Sequence, residues 1–344
     1  MKKRIGSVLG NNSTFKQYFM EKIIYAVLLT LIIVVICIEP KFLSLSNFKN
    51  ILAQSSTRII IALAAGMVLM VRGCDLSTGR MIGLAAVISA SMLQTTSYAY
   101  RMYPNLKELP IIVPLLIVVV ICAVLGAISG ACVAILKVPP IIATLAMQLV
   151  LYGASSIYFD REPYGAQPIG GITSRLTDIC VKSLKIGPIQ IPYLIIIVAV
   201  IIVIMWVLWN KTKFGKYMYA IGGNQEAAQV SGVNVVKIQV IVYSLAAILY
   251  AVAAVLEVGR IGSASNTTGN GYEMDAIASC VVGGVSMSGG IGKVGGIVIG
   301  VLIFTVINYG LSFIGVNMYW QFIVKGLIIL LAVIIDMRKY AKRK

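Results

Sequence analysis

Apolar runs recur along this chain, several close to the roughly 18–25 residues a helix needs to cross a bilayer. Ten such segments are read: Ile23–Ile38, Ile59–Val71, Met81–Leu93, Ile111–Leu136, Ile141–Tyr158, Tyr193–Trp209, Ile238–Leu256, Ala276–Val285, Val294–Tyr309 and Trp320–Asp336. Ile59–Val71 and Ala276–Val285 are too short to span as straight helices. Either they extend into flanking polar residues, or they are broken helices buried within the protein. Apolar residues make up 59% of the chain and charged residues 12%, and mean hydropathy is +0.94. The expected fold is all-α: a polytopic membrane protein of about ten transmembrane helices, some short or broken, in a single transmembrane domain over residues 1–344. The longest loop, Phe159–Pro192, is rich in Gly and Pro and too short for an enzyme domain.

A net charge of +17 raises the question of nucleic acid. The basic residues sit at the ends of apolar segments, so they read as orientation signals and no nucleic-acid partner is expected. With both termini inside, 18 Lys and Arg fall on the cytoplasmic side and 10 on the outer side. Residues 1–22, 210–237 and 337–344 are thus expected in the cytoplasm. The polar amino end lacks the form of a cleavable signal. Histidine is absent, which excludes His-ligated metals, Ser–His–Asp triads and histidine proton relays. The six cysteines lack metal-site spacing and read as small hydrophobes; no metal site is expected.

The two halves show a weak likeness. GCDLSTGRMIGLAAVISAS and YEMDAIASCVVGGVSMSGG each set an acid and small residues beside a short apolar run. They occupy segments three and eight, an odd offset, so a five-helix repeat would be inverted. Gly290-Ile-Gly292-Lys293-Val-Gly295 fits G-x-G-x-x-G but follows no expected strand. As a phosphate loop it fails: Val294 replaces the Ser or Thr that would hold magnesium, and Met287 stands at the earlier glycine. Glycines four apart (Gly79/Gly83, Gly126/Gly130, Gly292/Gly296/Gly300) read as helix-packing positions.

Ionisable residues near apolar runs are costly to bury and point to function. Asp75 lies between Arg72 and Arg80, which suits a local ion pair. Glu257, Glu273 and Asp275 flank GRIGSASNTTGNGY; either they sit in water at the interface, or they line a polar mouth. Asp75, Ser77, Thr78, Glu273, Asp275, Ser279, Ser286 and Ser288 are the expected substrate-path residues, in a wide and weakly polar passage. Tyr272, Tyr309, Tyr319 and Trp320 stand where an aromatic belt would stand.

Residues 210–237 read NKTKFGKYMYAIGGNQEAAQVSGVNVVK. Gly222 and Gly223 supply a turn, Asn224 caps a short helix from about Gln225, and Gly232 stops it. A polar helix joining two membrane segments can dock into another protein and carry force to them.

FGKYMYAIGGNQEAAQVSGVNV resembles the cytoplasmic Glu-Ala-Ala loop of the ribose/galactose/xylose branch of ABC-importer permeases. RGCDLSTGRMIGLAA resembles the family's Gly-x-Asp-Leu-Ser-x-Gly motif, GRIGSASNTTGNGYEMDAIASCVVGGVSMSGGIGKVGG its second signature, and TVINYGLSFIGVNMYWQFIVKGLIIL its carboxyl-terminal pair. Within that branch, FLSLSNFKNILAQSSTRIIIALAAG, VLWNKTKFGK, GRIGSASN and GVNMYWQ are most similar to members for galactose and methyl galactoside. The resemblance implies a homodimeric permease of a bacterial inner membrane, with lipid around it. It also implies an ABC ATPase subunit beneath, which binds the ATP and Mg this chain does not, and an extracytoplasmic sugar-binding protein above. By positional match Gly215, Ala220, Gly222, Asn224, Glu226, Ala227, Ala228 and Gly232 carry the ATPase-coupling role. A permease of this kind is not itself an enzyme. The rival readings are an ion-coupled carrier, which would need an ion site at mid-bilayer, and a membrane enzyme, which would need a carboxylate pair, histidine or cysteine centre.

Overall fold

The computed structural model describes residues 28–161, 167–186 and 189–341. The amino tail 1–22, the start of the first segment, part of the long loop and the end of the basic tail lie outside the described residues. The helices are α1 (Leu28–Ile38), α2 (Leu45–Met70), α3 (Thr78–Met92), α4 (Ile112–Ala134), α5 (Pro140–Phe159), α6 (Ser174–Val181), α7 (Tyr193–Lys211), α8 (Lys213–Gly223), α9 (Gln225–Val230), α10 (Val235–Ile261), α11 (Tyr272–Val282), α12 (Val294–Phe313) and α13 (Met318–Ala341). Six of them, α2, α4, α5, α7, α10 and α12, are long and apolar enough to cross a membrane. The long loop holds α6 and a small antiparallel hairpin, β1 (Ser183–Ile186) and β2 (Ile189–Pro192), with Ser183 opposite Pro192.

Packing divides the chain into two units, one of residues up to Ile51 with those from Leu302 onward, the other Leu52–Val301. In the first, Phe42 lies within a 3-10 turn, Pro40–Leu43. Its ring lies 5.8 Å from that of Phe313 and 6.2 Å from that of Tyr309. The Tyr309 hydroxyl donates to Asn47 Oδ1 at 2.9 Å and accepts from Asn50 at 3.2 Å.

The second unit is built around α10. Its Tyr243, Ala246, Ala247, Tyr250, Ala251 and Ala254 are buried, as small and aromatic residues alternate to let neighbours close in. Gly126 and Gly130 of α4 abut Tyr243, Ala247 and Val240 of α10, where a methyl group would have to displace backbone.

The two short segments resolve in opposite ways. The first becomes the end of α2, a helix of 26 residues that begins among polar groups. It can do so because those groups find partners inside the protein: Ser56 donates to Leu52 O at 2.8 Å and Thr57 to Glu257 at 2.7 Å. Arg58, counted above as an outer-loop residue, lies within this helix. The second becomes α11, which stays at 11 residues because Gly283 and Gly284 end it, the latter at φ +84°.

Two connections run inward. The α2–α3 link leaves the α2 end, and Thr144 of α5 ties it down, donating to Cys74 O at 3.1 Å and accepting from Leu76 N–H at 3.2 Å. It delivers Thr78 against Tyr250, near the middle of α10. The α10–α11 link starts at the opposite end, where Ala264 bridges to Ile169. It then runs along α3, with Thr268 at Gly83 and Gly269 at Gly79. The starts of α3 and α11 therefore meet inside the unit, the arrangement that an inverted pair of segments produces.

Candidate functional site

The meeting point is assembled from sequence-expected residues. Gly79 lies against Gly269 O and the Glu273 carboxylate, with no room for a Cβ. Asp75 accepts from Ser77 N–H at 2.9 Å and Ser77 Oγ–H at 2.6 Å, and Thr78 Oγ1 donates to Asp75 O at 2.9 Å. Each short helix thus begins beside acid: Asp75 before α3, Glu273 and Asp275 in the first turn of α11. Acids there offset the positive end of the helix dipole and accept its unpaired N–H groups. That is the physical content of the likeness between segments three and eight.

The remaining path residues do not join this cluster. Ser279 O abuts Gly300 of α12. Ser286 and Ser288 lie beyond α11, where Ser288 N–H donates to Ser286 Oγ at 3.2 Å. Asp75, Ser77, Thr78, Glu273, Ser279 and Ser286 are all buried within this single chain, while Ser288 is exposed. They shape the interior of the unit and do not by themselves line an open passage.

Three sequence expectations change. Asp75 pairs with neither arginine: Arg72 donates to Gly222 O at 2.9 Å and Gly223 O at 2.6 Å, and Arg80 donates to Asn266 O and Asn270 Oδ1. Arg72, at φ +61° in the turn after α2, is directed to the α8 carbonyls, and Arg80, in the first turn of α3, to the α10–α11 link. Arg80, one of the 18 basic residues counted on the cytoplasmic side, therefore packs within the unit. Since Arg58 also leaves its loop, one residue drops from each side and the charge excess is unchanged. Second, Glu257 neither sits in interfacial water nor lines a mouth; it is 0% exposed. Third, Tyr272 is no belt residue: its hydroxyl donates to Glu257 at 2.9 Å.

Those groups form a polar network absent from the sequence reading. Arg260 donates twice to Glu257, at 2.8 and 3.2 Å. Arg58 lies 3.5 Å from the Tyr272 ring centroid and pairs with Asp275 at 2.8 Å. Two cations and two anions thus balance across α2, α10 and α11. A buried charge is tolerated in this way, paired and hydrogen-bonded. The one sequence signal was the placing of Arg58, Glu257 and Arg260 at the rims of apolar runs.

The second part of the site is the α8–α9 stretch. Thr212 caps α8 by accepting from Gly215 N–H at 3.2 Å, and Asn224 caps α9 by accepting from Ala227 N–H at 2.9 Å. Gly232, at φ +85°, ends the element. The helix α8 was not foreseen; Gly222 and Gly223 are its last residues and not a free turn, because Arg72 holds their carbonyls. Gly215 sits against Trp209 and Leu208 carbonyls, Gly222 against Met70 O and Gly290, and Ala228 is buried. These three fasten the element to its own chain. Ala220, Asn224, Glu226, Ala227 and Gly232 are exposed. Beside them Lys213, Lys216 and Tyr217 are also exposed, and Val230 is 90% exposed.

The G-x-G-x-x-G stretch completes this joint. Gly290 N–H donates to Met70 O at 3.0 Å, and the Tyr219 hydroxyl donates to Gly292 O at 2.8 Å. Burial holds the Tyr219 phenol above its ordinary pKa, so it remains the donor. Gly290 and Gly292 serve close packing at this joint.

Known proteins resemble this chain along nearly its whole length. Residues 47–333 match the family model described as "Branched-chain amino acid transport system / permease component". The galactose/methyl galactoside import permease protein MglC of Haemophilus influenzae is 49% identical over 98% of this chain and 100% of that protein. MglC of Escherichia coli K12 is 49% identical over 97% of this chain and 99% of its own. The ribose import permease protein RbsC of Escherichia coli K12 is 36% identical over 97% of this chain and 98% of its own. No solved structure matches. With apolar spanning helices, two short helices that meet inside and an exposed capped helix between α7 and α10, the chain belongs to this family of transport-system permease components, together with the sugar import permeases MglC and RbsC.

Proposed function

We propose that this chain is the permease subunit of an ATP-driven importer of a monosaccharide, with galactose and methyl galactoside as substrates. The observation that carries it is 49% identity over nearly the full length to permeases named for that import. A permease of this kind works as two copies, with the path between them, and needs two further partners. An ABC ATPase subunit binds ATP and Mg and docks on the exposed face of α8 and α9. A sugar-binding protein delivers substrate on the opposite side. The exposed face suits docking: small residues permit close approach, and Glu226 can pair with a basic group. The buried residues beneath it, Gly215, Gly222 and Ala228, pass force inward. The test is uptake by the reconstituted importer. Galactose uptake should require ATP and fall with excess methyl galactoside, and equal competition by ribose would overturn the substrate assignment.

Both termini and the α8–α9 stretch face the cytoplasm in this reading, supported by the excess of Lys and Arg on that side. In intact cells an impermeant thiol reagent should label a cysteine placed at Gly170 and not one at Gln225. Labelling at 225 would reverse the orientation.

The ion-coupled alternative needs a buried acid free to bind a cation. Glu257 is the buried acid of α10, but Thr57, Arg260 and Tyr272 occupy both its oxygens. That arrangement argues against Glu257 as such an acid.

A further inference from the structure

One cluster serves none of the roles above. Arg80, in the first turn of α3, lies over the Tyr152 ring of α5, 4.2 Å from its centroid. Its Nη1 donates to Asn266 O at 3.2 Å and its Nη2 to Asn270 Oδ1 at 3.1 Å. The Asn266 amide donates to Ser156 Oγ, one turn along α5, at 3.2 Å. Three separate elements therefore converge on one polar patch. The patch is open: Tyr152 is 41% exposed, Asn270 is exposed, and Arg80 and Asn266 are partly so. A methyl group on Gly153, beside Tyr152, would meet nothing within 4 Å.

Position decides what this patch faces. Arg80 follows Gly79, which packs where α3 and α11 meet, and Thr78 lies against Tyr250, near the middle of the 27-residue α10. The guanidinium thus sits within the span and is not fully covered. An arginine at that depth is costly against lipid and is tolerated where it borders water. We propose that Arg80, Tyr152, Asn266 and Asn270 line a water-filled stretch of the translocation path and form its transient contact with a pyranose sugar. This rests on the importer reading above. A pyranose offers an apolar C–H face and a rim of hydroxyls. The guanidinium lies over the Tyr152 ring, and the residue remains 41% exposed, so aromatic surface is left for stacking. Arg80 supplies planar donors to hydroxyls, and the Asn270 amide supplies a donor and an acceptor. Among the described residues the patch stays partly exposed, unlike an enclosed binding pocket, so contact is brief and the sugar moves on.

The test uses the assembled importer in proteoliposomes. Tyr152→Ala should lower galactose uptake about tenfold, the loss of one stacking contact, while ATP hydrolysis stimulated by the loaded binding protein persists. Tyr152→Phe should retain uptake, because the ring and not its hydroxyl carries the contact. A cysteine at position 152 should react with a water-soluble thiol reagent, and galactose at high concentration should slow that reaction. Loss of uptake and ATPase stimulation together in Tyr152→Ala, with Tyr152→Phe equally impaired, would show a packing residue and overturn the proposal. So would reaction only with a lipophilic reagent, which marks a lipid face, or a spontaneous disulfide between two copies at 152, which marks an interface. A wild-type importer that carries no galactose would remove the substrate reading instead. Aqueous labelling of position 152 would then still decide whether the patch borders water.

Discussion

Replacing Arg72 with alanine is expected to cut transport about a hundredfold while the permease still inserts and still binds its ATPase subunit. Arg72 joins three elements: its guanidinium holds the Gly222 and Gly223 carbonyls, and Gly289 packs on its side chain and backbone. Two charge-assisted hydrogen bonds are worth about 1.5–3 kcal/mol each, which sets that scale. Without them the end of α8 can shift against α2 and the α11–α12 link without moving either. Hydrolysis in the partner subunit would then no longer reach α11. The measurement is ATP hydrolysed per sugar imported, which should rise steeply in Arg72→Ala. Arg72→Lys should recover little, since an ammonium cannot span both carbonyls as the planar fork does. Glu226→Lys should behave differently, because Glu226 is exposed and touches the partner in our reading. It should weaken docking, so the ATPase subunit co-purifies poorly and stimulation is lost. If Arg72→Ala kept wild-type stoichiometry, the joint would be mere packing.

Glu257→Leu is expected to destabilise the chain by about 3 kcal/mol, the lower end for a broken buried pair, since Arg260 loses its partner but stays 25% exposed. Thr57 and Tyr272 would lose their acceptor as well. Thermal unfolding of the purified permease in detergent is the readout, with recovered yield as a second. Glu257→Gln combined with Arg260→Gln should restore much of the loss, because the charge is removed from both sides at once. A stable double variant that imports sugar would dispose of Glu257 as an ion-coupling acid. A stable double variant with normal ATPase activity and no import would revive that role. A single Glu257→Leu with unchanged stability would mean that water reaches the network.

The exposed helix α9 and the buried network differ in how far they could be read from the sequence. Asn224, Glu226 and Gly232 were legible because capping and termination are local: the Asn224 side chain reaches Ala227 N–H, three residues away. The network of Thr57, Arg58, Glu257 and Asp275 was not, because its partners stand 200 and 217 residues apart.

The sequence by itself determined the membrane class, the approximate helix positions, the capped helix near Gln225 and the packing role of the small-residue spacings. Each follows from composition, period or near-neighbour chemistry. Only the tertiary structure decided that α2 runs on through Ser55, Ser56, Thr57 and Arg58, since Thr57 and Arg58 are satisfied there by distant Glu257 and Asp275. It also decided that α3 and α11 start side by side, that Arg72 reaches the end of α8 instead of Asp75, and that Arg80 faces Tyr152. An arginine's partner is whatever unsatisfied acceptor the fold brings within reach, and proximity along the chain does not decide which one that is.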